Sequence, residues 1–147
     1  MSDMTTRTFT NVAHHEDWAL AVLPQHGLAI KIMLEASGCA TIEASNGVDA
    51  VQVFQEKSPL IDVVLTDFVM PQMGGAELGK RLREIKRDVK IIYGTGYIDD
   101  VSKLVEALGE TPIIINKPYD RTDLIRKIRS LSGHRNGRRS ESDDSHR

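Results

Sequence analysis

The sequence predicts an α/β fold in which one parallel β-sheet is covered by helices on both faces. Short apolar runs, several of them rich in β-branched residues, alternate with stretches whose apolar residues recur every three or four positions. The first pattern is typical of buried strands and the second of amphipathic helices. Strands that alternate with helices form parallel sheets with right-handed crossovers, so we predict a doubly wound sheet. A chain of 147 residues, 40% of them hydrophobic, fits one such domain.

The first half of the predicted domain contains two strand–helix units. Residues 18–23 form an apolar run of strand length, and residues 28–37 carry apolar side chains at helical spacing. Residues 39–44 form the second predicted strand. Asn46 is a typical N-cap for the second helix, because its side chain can accept a hydrogen bond from a free backbone N–H at a helix start.

The third and fourth units follow the same pattern. Residues 61–65 are mostly β-branched and predict a strand, and residues 75–86 predict the helix after it. Residues 89–93 predict the fourth strand. Residues 99–108 predict a helix that ends at Gly109, since glycine readily adopts the left-handed backbone found at helix C-termini.

The fifth unit completes the predicted domain, and both ends of the chain differ from it. Residues 113–115 are the core of a strand, and residues 122–131 predict an amphipathic helix. Residues 1–17 lack a clear apolar period, and residues 133–147 contain no aliphatic residue, so burial cannot offset the entropy lost on ordering them. We therefore predict one domain over residues 18–132 between two mobile tails.

Composition excludes several classes of function. The chain has 19 Lys and Arg residues against 21 Asp and Glu residues, and this balance argues against nucleic acid as a partner. No apolar run approaches the roughly 18 residues of a membrane span, and the N-terminus lacks the pattern of a secretory signal. Cys39 is the single cysteine, which excludes an internal disulfide. We expect a soluble, cytoplasmic protein.

Three polar residues at predicted strand ends carry the candidate chemistry. Asp67 follows the third strand, Thr95 the fourth and Lys117 the fifth. Because the carboxyl ends of parallel strands meet at one edge of a sheet, we expect a carboxylate, a hydroxyl and an ammonium group to converge there. Such a set can handle a phosphoryl group: Asp67 can accept it, while Lys117 and Thr95 can bind its oxygens.

Three motifs, each at a predicted strand end, resemble the receiver domain of bacterial two-component response regulators. They are residues 63–78 (VVLTDFVMPQMGGAEL), Thr95 with Gly96, and residues 116–119 (NKPY). The resemblance covers about residues 18–132. It implies a flavodoxin-like, five-stranded sheet in the order 2-1-3-4-5 with five helices.

The resemblance also implies a role for individual residues. It makes Asp67 the phosphoacceptor, Thr95 the switch hydroxyl and Lys117 the phosphate contact, followed by a cis Pro118. Around them, Met70 and Pro71 shape the loop after the acceptor, and Gly75 allows close backbone approach at the next helix. The stretch Tyr93-Gly94-Thr95-Gly96 is similar to the Phe-Ala-Thr-Gly stretch of some stand-alone receivers.

A Mg²⁺ site is also implied, and this sequence provides only part of it. Receivers hold the metal with two acidic residues at the end of the first strand, the acceptor and the backbone carbonyl two residues later, here Asp67 and Val69. Pro24 fixes the alignment, and the acidic positions then fall on Ala21 and Val22, which have no side-chain oxygen. Because Mg²⁺ prefers hard oxygen ligands, we predict weak Mg²⁺ binding, if any, in a degenerate acidic pocket.

Two alternatives would return a charged group to this pocket. If residues 11–15 formed the first strand, Glu16 and Asp17 would be its acidic end, although two adjacent histidines are poor residues for a central strand. His26, if protonated, would act as a substitute cation, although an exposed loop histidine is the simpler interpretation.

Three further positions bear on lifetime and output. Val69 lies two residues after Asp67, and Tyr97 lies two residues after Thr95. In receivers, the side chains at these two positions flank the path of the water that hydrolyses the acyl phosphate. An apolar and a bulky side chain there predict slow self-dephosphorylation. Ile114 occupies the position of the family's aromatic switch, so output has to come through backbone and helix rearrangement.

Four functions compete for this sequence. The first is a single-domain signalling receiver that takes a phosphoryl group from a sensor histidine kinase or phosphotransfer protein and binds a downstream protein. The second is a phosphorylation-independent pseudo-receiver that serves as a binding module. A phosphatase would need a second positioned carboxylate, and a nucleotide-binding domain would need GxGxxG or a P-loop. We expect a signalling module rather than an enzyme, as a monomer or weak homodimer.

Overall fold

The computed structural model describes residues 17–24 and 27–131 of the chain. The predicted tails fall outside these ranges, apart from Asp17 at the first boundary. Glu16 and His26 also lie outside the described residues, so the suggested role of His26 stays a prediction. The alternative in which Asp17 ends the first strand is wrong, because the first described strand begins at Asp17 and runs to Val22.

Five strands alternate with five helices along the described chain. The strands are β1 (Asp17–Val22), β2 (Cys39–Ala44), β3 (Val63–Asp67), β4 (Ile91–Thr95) and β5 (Ile113–Asn116). The helices are α1 (Gly27–Ala36), α2 (Gly47–Lys57), α3 (Gly75–Ile85), α4 (Ile98–Leu108) and α5 (residues 121–131). None of these helices is long and apolar enough to cross a membrane.

The sheet has the strand order β2-β1-β3-β4-β5, and every neighbouring pair is parallel. This confirms the predicted doubly wound, flavodoxin-like fold. The predicted N-cap is also present, since the side chain of Asn46 accepts the backbone N–H of Asp49 at the start of α2. The chain order reverses between β1 and β3, which places a crevice beyond the carboxyl ends of these central strands.

Two strands begin two residues later than the sequence predicts, because turns precede them. Ile61 and Val89 are both buried, which explains their strand-like pattern. Their backbone N–H groups donate to turn carbonyls instead, Ile61 to Ser58 at 3.2 Å and Val89 to Lys86 at 3.1 Å.

Successive side chains of the sheet enter two apolar layers. In β1, Leu20 and Val22 join the layer formed with α2, α3 and α4, whereas Ala19 and Ala21 join the layer formed with α1 and α5. With both faces covered, every residue of β1, β3 and β4 is buried. Polar side chains therefore reach solvent at the strand ends, which is where the candidate site lies.

Candidate functional site

Asp67 is the last residue of β3 and lies between β1 and β4 in the sheet. Its exposed fraction is only 5%, because the strand that carries it is buried on both faces. The loop that follows is tied back to the sheet: the N–H of Phe68 donates to the Gly94 carbonyl at 3.0 Å, and the N–H of Gly75 donates to the Phe68 carbonyl at 2.8 Å. The carboxylate is thus held at the edge of the core, where a charge requires a partner.

Lys117 supplies that partner from the end of β5. Its Nζ lies 2.8 Å from Oδ1 of Asp67, and 30% of the Lys117 side chain is exposed to solvent. Its backbone N–H donates to the Thr95 carbonyl at 2.8 Å. The Lys117–Pro118 peptide bond is cis, as the resemblance implies. The structure therefore brings the predicted carboxylate and ammonium group into direct contact.

Thr95 lies at the same edge, at the end of β4. It follows Gly94, the register partner of Asp67, and itself pairs with Asn116, the residue before Lys117. Its hydroxyl is buried and has no hydrogen-bond partner among the described residues. Because buried hydroxyls normally have partners, this one is free to bind an oxygen that enters the site.

A cleft of about 290 Å³, here called the strand-end cleft, opens beside these residues. Val69 and Tyr97 stand at its rim with exposed fractions of 71% and 76%. Asp100, in the first turn of α4, also lines it and is 5% exposed. This second carboxylate was not predicted from the sequence, because the helix dipole alone accounts for an acidic residue near a helix start. Lining residues are Val69, Gly94, Gly96, Tyr97, Asp100 and Lys117.

The loop residues around Asp67 have structural roles. Met70 is buried, with its Sδ 3.7 Å from the hydroxyl oxygen of Thr66. The Pro71 carbonyl accepts the N–H of Met73 at 2.7 Å and so closes a tight turn. A Cβ atom at Gly75 would lie 2.5 Å from the Asp67 carbonyl oxygen, so only glycine fits there without a backbone shift.

Tyr119 also belongs to the site, although the sequence did not predict its contact with Asp67. Its hydroxyl donates to Oδ1 of Asp67 at 3.1 Å, across 52 residues of sequence. Burial, and then the charge and hydrogen bond of Asp67, raise the pKa of this phenol well above its usual value. The hydroxyl therefore stays protonated and acts as a neutral donor.

The family of the chain follows from this geometry together with sequence comparison. Residues 24–129 match the family model described as "Response regulator receiver domain". The chain belongs to the receiver family. Receivers are signalling modules rather than typical enzymes.

Two relatives from Brucella abortus (strain 2308) illustrate the range of proteins that share this domain. The receiver is 32% identical over 98 residues to the response regulator receiver protein CpdR, covering 67% of this chain and 80% of that protein. It is 37% identical over 67 residues to the sensor kinase CckA, covering 46% of this chain but only 7% of that protein. The receiver thus corresponds to a small part of the kinase and to most of CpdR.

A solved structure supports the same assignment. The receiver domain protein from Clostridium thermocellum superimposes with a TM-score of 0.75 at 25% identity, covering 82% of this chain and 98% of that chain. The match extends over nearly the whole of that domain, so the two share the complete receiver fold.

Receivers typically bind Mg²⁺, but the described residues of this one do not fit a protein-held Mg²⁺ ion. Ala21 and Val22 end β1 as buried apolar side chains without oxygen. Asp17 opens β1 and pairs with Cys39, so it lies at the opposite edge of the sheet from Asp67. Among residues 17–24 and 27–131 there is no group of three or more His, Cys, Asp or Glu residues suited to a metal.

Proposed function

We propose that this receiver accepts a phosphoryl group on Asp67 and passes the signal on by binding a protein partner. The observation that carries the proposal is the 2.8 Å contact between Lys117 Nζ and Oδ1 of the buried Asp67. The unpartnered hydroxyl of Thr95 at the same strand edge adds a second group for phosphoryl oxygens. The donor is a phosphohistidine of a sensor histidine kinase or of a phosphotransfer protein.

The chemistry is a phosphoryl transfer between two nucleophiles. A carboxylate oxygen of Asp67 forms a bond to phosphorus, the donor's N–P bond breaks, and its electron pair remains on the imidazole nitrogen. Lys117 and the Thr95 hydroxyl bind the oxygens of the transferred group. Such transfers depend mainly on positioning and charge stabilisation, which these side chains can supply.

We further propose that Mg²⁺ binding is impaired in this receiver. Asp67 and the Val69 carbonyl are the remaining oxygen ligands, because Ala21 and Val22 replace the acidic pair. Asp67 would then be the single carboxylate ligand, and the loss of the other two carboxylates removes most of the negative charge that attracts the ion. Lys117 is then the cation that stabilises charge at Asp67.

Self-dephosphorylation should be slow. Val69 and Tyr97 stand at the rim of the strand-end cleft, and the resemblance to other receivers implies that an attacking water passes beside these two positions. We expect phosphate release from the phosphorylated protein to take minutes or longer and to accelerate several-fold in a Tyr97→Ala variant, while an Asp88→Ala variant at an exposed loop leaves the rate unchanged. Decay of the wild-type protein within seconds would contradict this expectation.

A second function has one observation in its favour. The missing acidic pair at Ala21 and Val22 would suit a pseudo-receiver that binds its partner without phosphorylation. The contact between Asp67 and Lys117 opposes it, because a binding module has no need of a buried carboxylate with a cation beside it.

We also propose that residues 18–132 of this chain form the receiver module and that residues 1–17 and 133–147 flank it as mobile tails. We place it in the cytoplasm, where a sensor kinase presents its phosphohistidine. Its partners are proteins rather than nucleic acids, and it acts as a monomer or as a weak homodimer through α4, β5 and α5.

Phosphotransfer followed by peptide mapping tests the proposal. The receiver is incubated with a phosphorylated kinase or phosphotransfer protein, and the modified residue is located by mass spectrometry. We expect one phosphoryl group, on the peptide that contains Asp67. Binding of the kinase without any transfer would favour the pseudo-receiver, and transfer to another residue would contradict both proposals.

A further inference from the structure

Two donors converge on one oxygen of the acceptor carboxylate. Lys117 Nζ lies 2.8 Å and the Tyr119 hydroxyl 3.1 Å from the same atom, Oδ1 of Asp67. In the described part of the chain, the ion pair and the side-chain hydrogen bond of the Asp67 carboxylate both use this oxygen. Oδ2 is left as the oxygen that can bond to phosphorus.

Tyr119 reaches Asp67 only because β4 has a glycine at position 94. A Cβ atom there would clash with the Tyr119 hydroxyl and lie 2.9 Å from Cζ and 3.0 Å from Cε1 of the ring. Gly94 is also the register partner of Asp67, so the gap lies directly beside the acceptor. A phenylalanine would pack the same apolar layer equally well. The hydroxyl is therefore the part of Tyr119 that serves the site.

We propose that the Tyr119 hydroxyl is a positioning donor that shortens the lifetime of phosphorylated Asp67. The inference rests on the proposed phosphoryl acceptance by Asp67. When the phosphoryl group leaves, the Oδ2–P bond breaks, its electron pair returns to the carboxylate, and water adds to phosphorus and gives up its proton to solvent. Negative charge then returns to Oδ1, the oxygen that Tyr119 contacts.

The strength of the hydrogen bond changes during this step. A hydrogen bond to a charged carboxylate is roughly twice as strong as one to a neutral carbonyl. In the acyl phosphate Oδ1 is a carbonyl oxygen, whereas in the loose transition state the departing carboxylate carries much of its charge. Tyr119 therefore stabilises the transition state of dephosphorylation more than the phosphorylated ground state. Phosphorylation of Asp67 starts from the charged carboxylate, which already has the strong hydrogen bond to Tyr119. The rate of phosphorylation therefore gains little from this bond.

The test compares loading and decay in a Tyr119→Phe variant. We expect the half-life of phosphorylated Asp67 to lengthen about fivefold, with the rate of loading by phosphoramidate close to that of the wild type. Tyr93→Phe is the matched control, because the Tyr93 hydroxyl is buried without a described partner on the other face of the sheet. A Gly94→Ala variant, which displaces the Tyr119 hydroxyl, should lengthen the half-life as well.

The possible outcomes separate this inference from the proposed function. An unchanged or shorter half-life in Tyr119→Phe overturns the inference and leaves phosphoryl acceptance intact. Equal slowing of loading and decay also overturns it, because a general structural defect affects both. Failure of the wild-type protein to gain a phosphoryl group from phosphoramidate and from a kinase removes the proposed function and the inference with it.

Discussion

An Asp67→Asn variant should gain no phosphoryl group from a donor that loads the wild-type protein. The amide has the shape of the carboxylate, but its oxygen is too weak a nucleophile to attack phosphorus. The fold should survive, because the Asn oxygen can still accept from Tyr119 and the burial of a charge is relieved. The substitution should therefore abolish the gain of a phosphoryl group and change the stability of the fold only slightly.

Intact-protein mass spectrometry measures this effect directly. Asp88→Asn is a suitable control, since it makes the same substitution at an exposed residue between α3 and β4. We expect the control to gain the same mass as the wild type. A mass gain in Asp67→Asn would show that another residue is the acceptor.

A Lys117→Met variant should load about a hundredfold more slowly. Methionine keeps much of the apolar stem but removes the ammonium group 2.8 Å from Asp67. Without the acidic pair, the described residues offer no metal site that would take over charge stabilisation. Loss of the lysine should therefore affect this receiver more than one with an intact metal pocket.

Lys103→Met provides the matched control on the exposed face of α4. It should load at the wild-type rate in the same assay. Loading of Lys117→Met at the wild-type rate would mean that Lys117 is only a structural partner of Asp67.

The positions of Asp67, Thr95 and Lys117 were predictable because these residues lie at the ends of apolar strands. Residues 63–65 and 91–93 are buried and mark where β3 and β4 run. The parallel sheet then dictates that Asp67, Thr95 and Lys117 share one edge. The same reasoning placed Ala21 and Val22 at the end of β1, where the acidic pair would be.

Other parts of the site depend on contacts that a linear pattern does not carry. Tyr119 meets Asp67 because Gly94, on a different strand, leaves room for its ring. In the sequence, Gly94 is visible only as a glycine beside Thr95, and nothing in the sequence indicates that it leaves room for Tyr119. Asp100 lines the cleft because α4 starts beside it. The first residues of β3 and β4 are likewise set by hydrogen bonds in the preceding turns, which the apolar pattern does not show.

The central proposal, phosphoryl acceptance by Asp67 without a protein-held Mg²⁺ ion, is tested most directly by loading the wild-type receiver with phosphoramidate in EDTA and across a range of Mg²⁺ concentrations. We expect a gain of one phosphoryl group in EDTA and a loading rate that does not saturate at low millimolar Mg²⁺. Loading that requires Mg²⁺ and saturates in that range, or no loading under any of these conditions, would contradict the proposal.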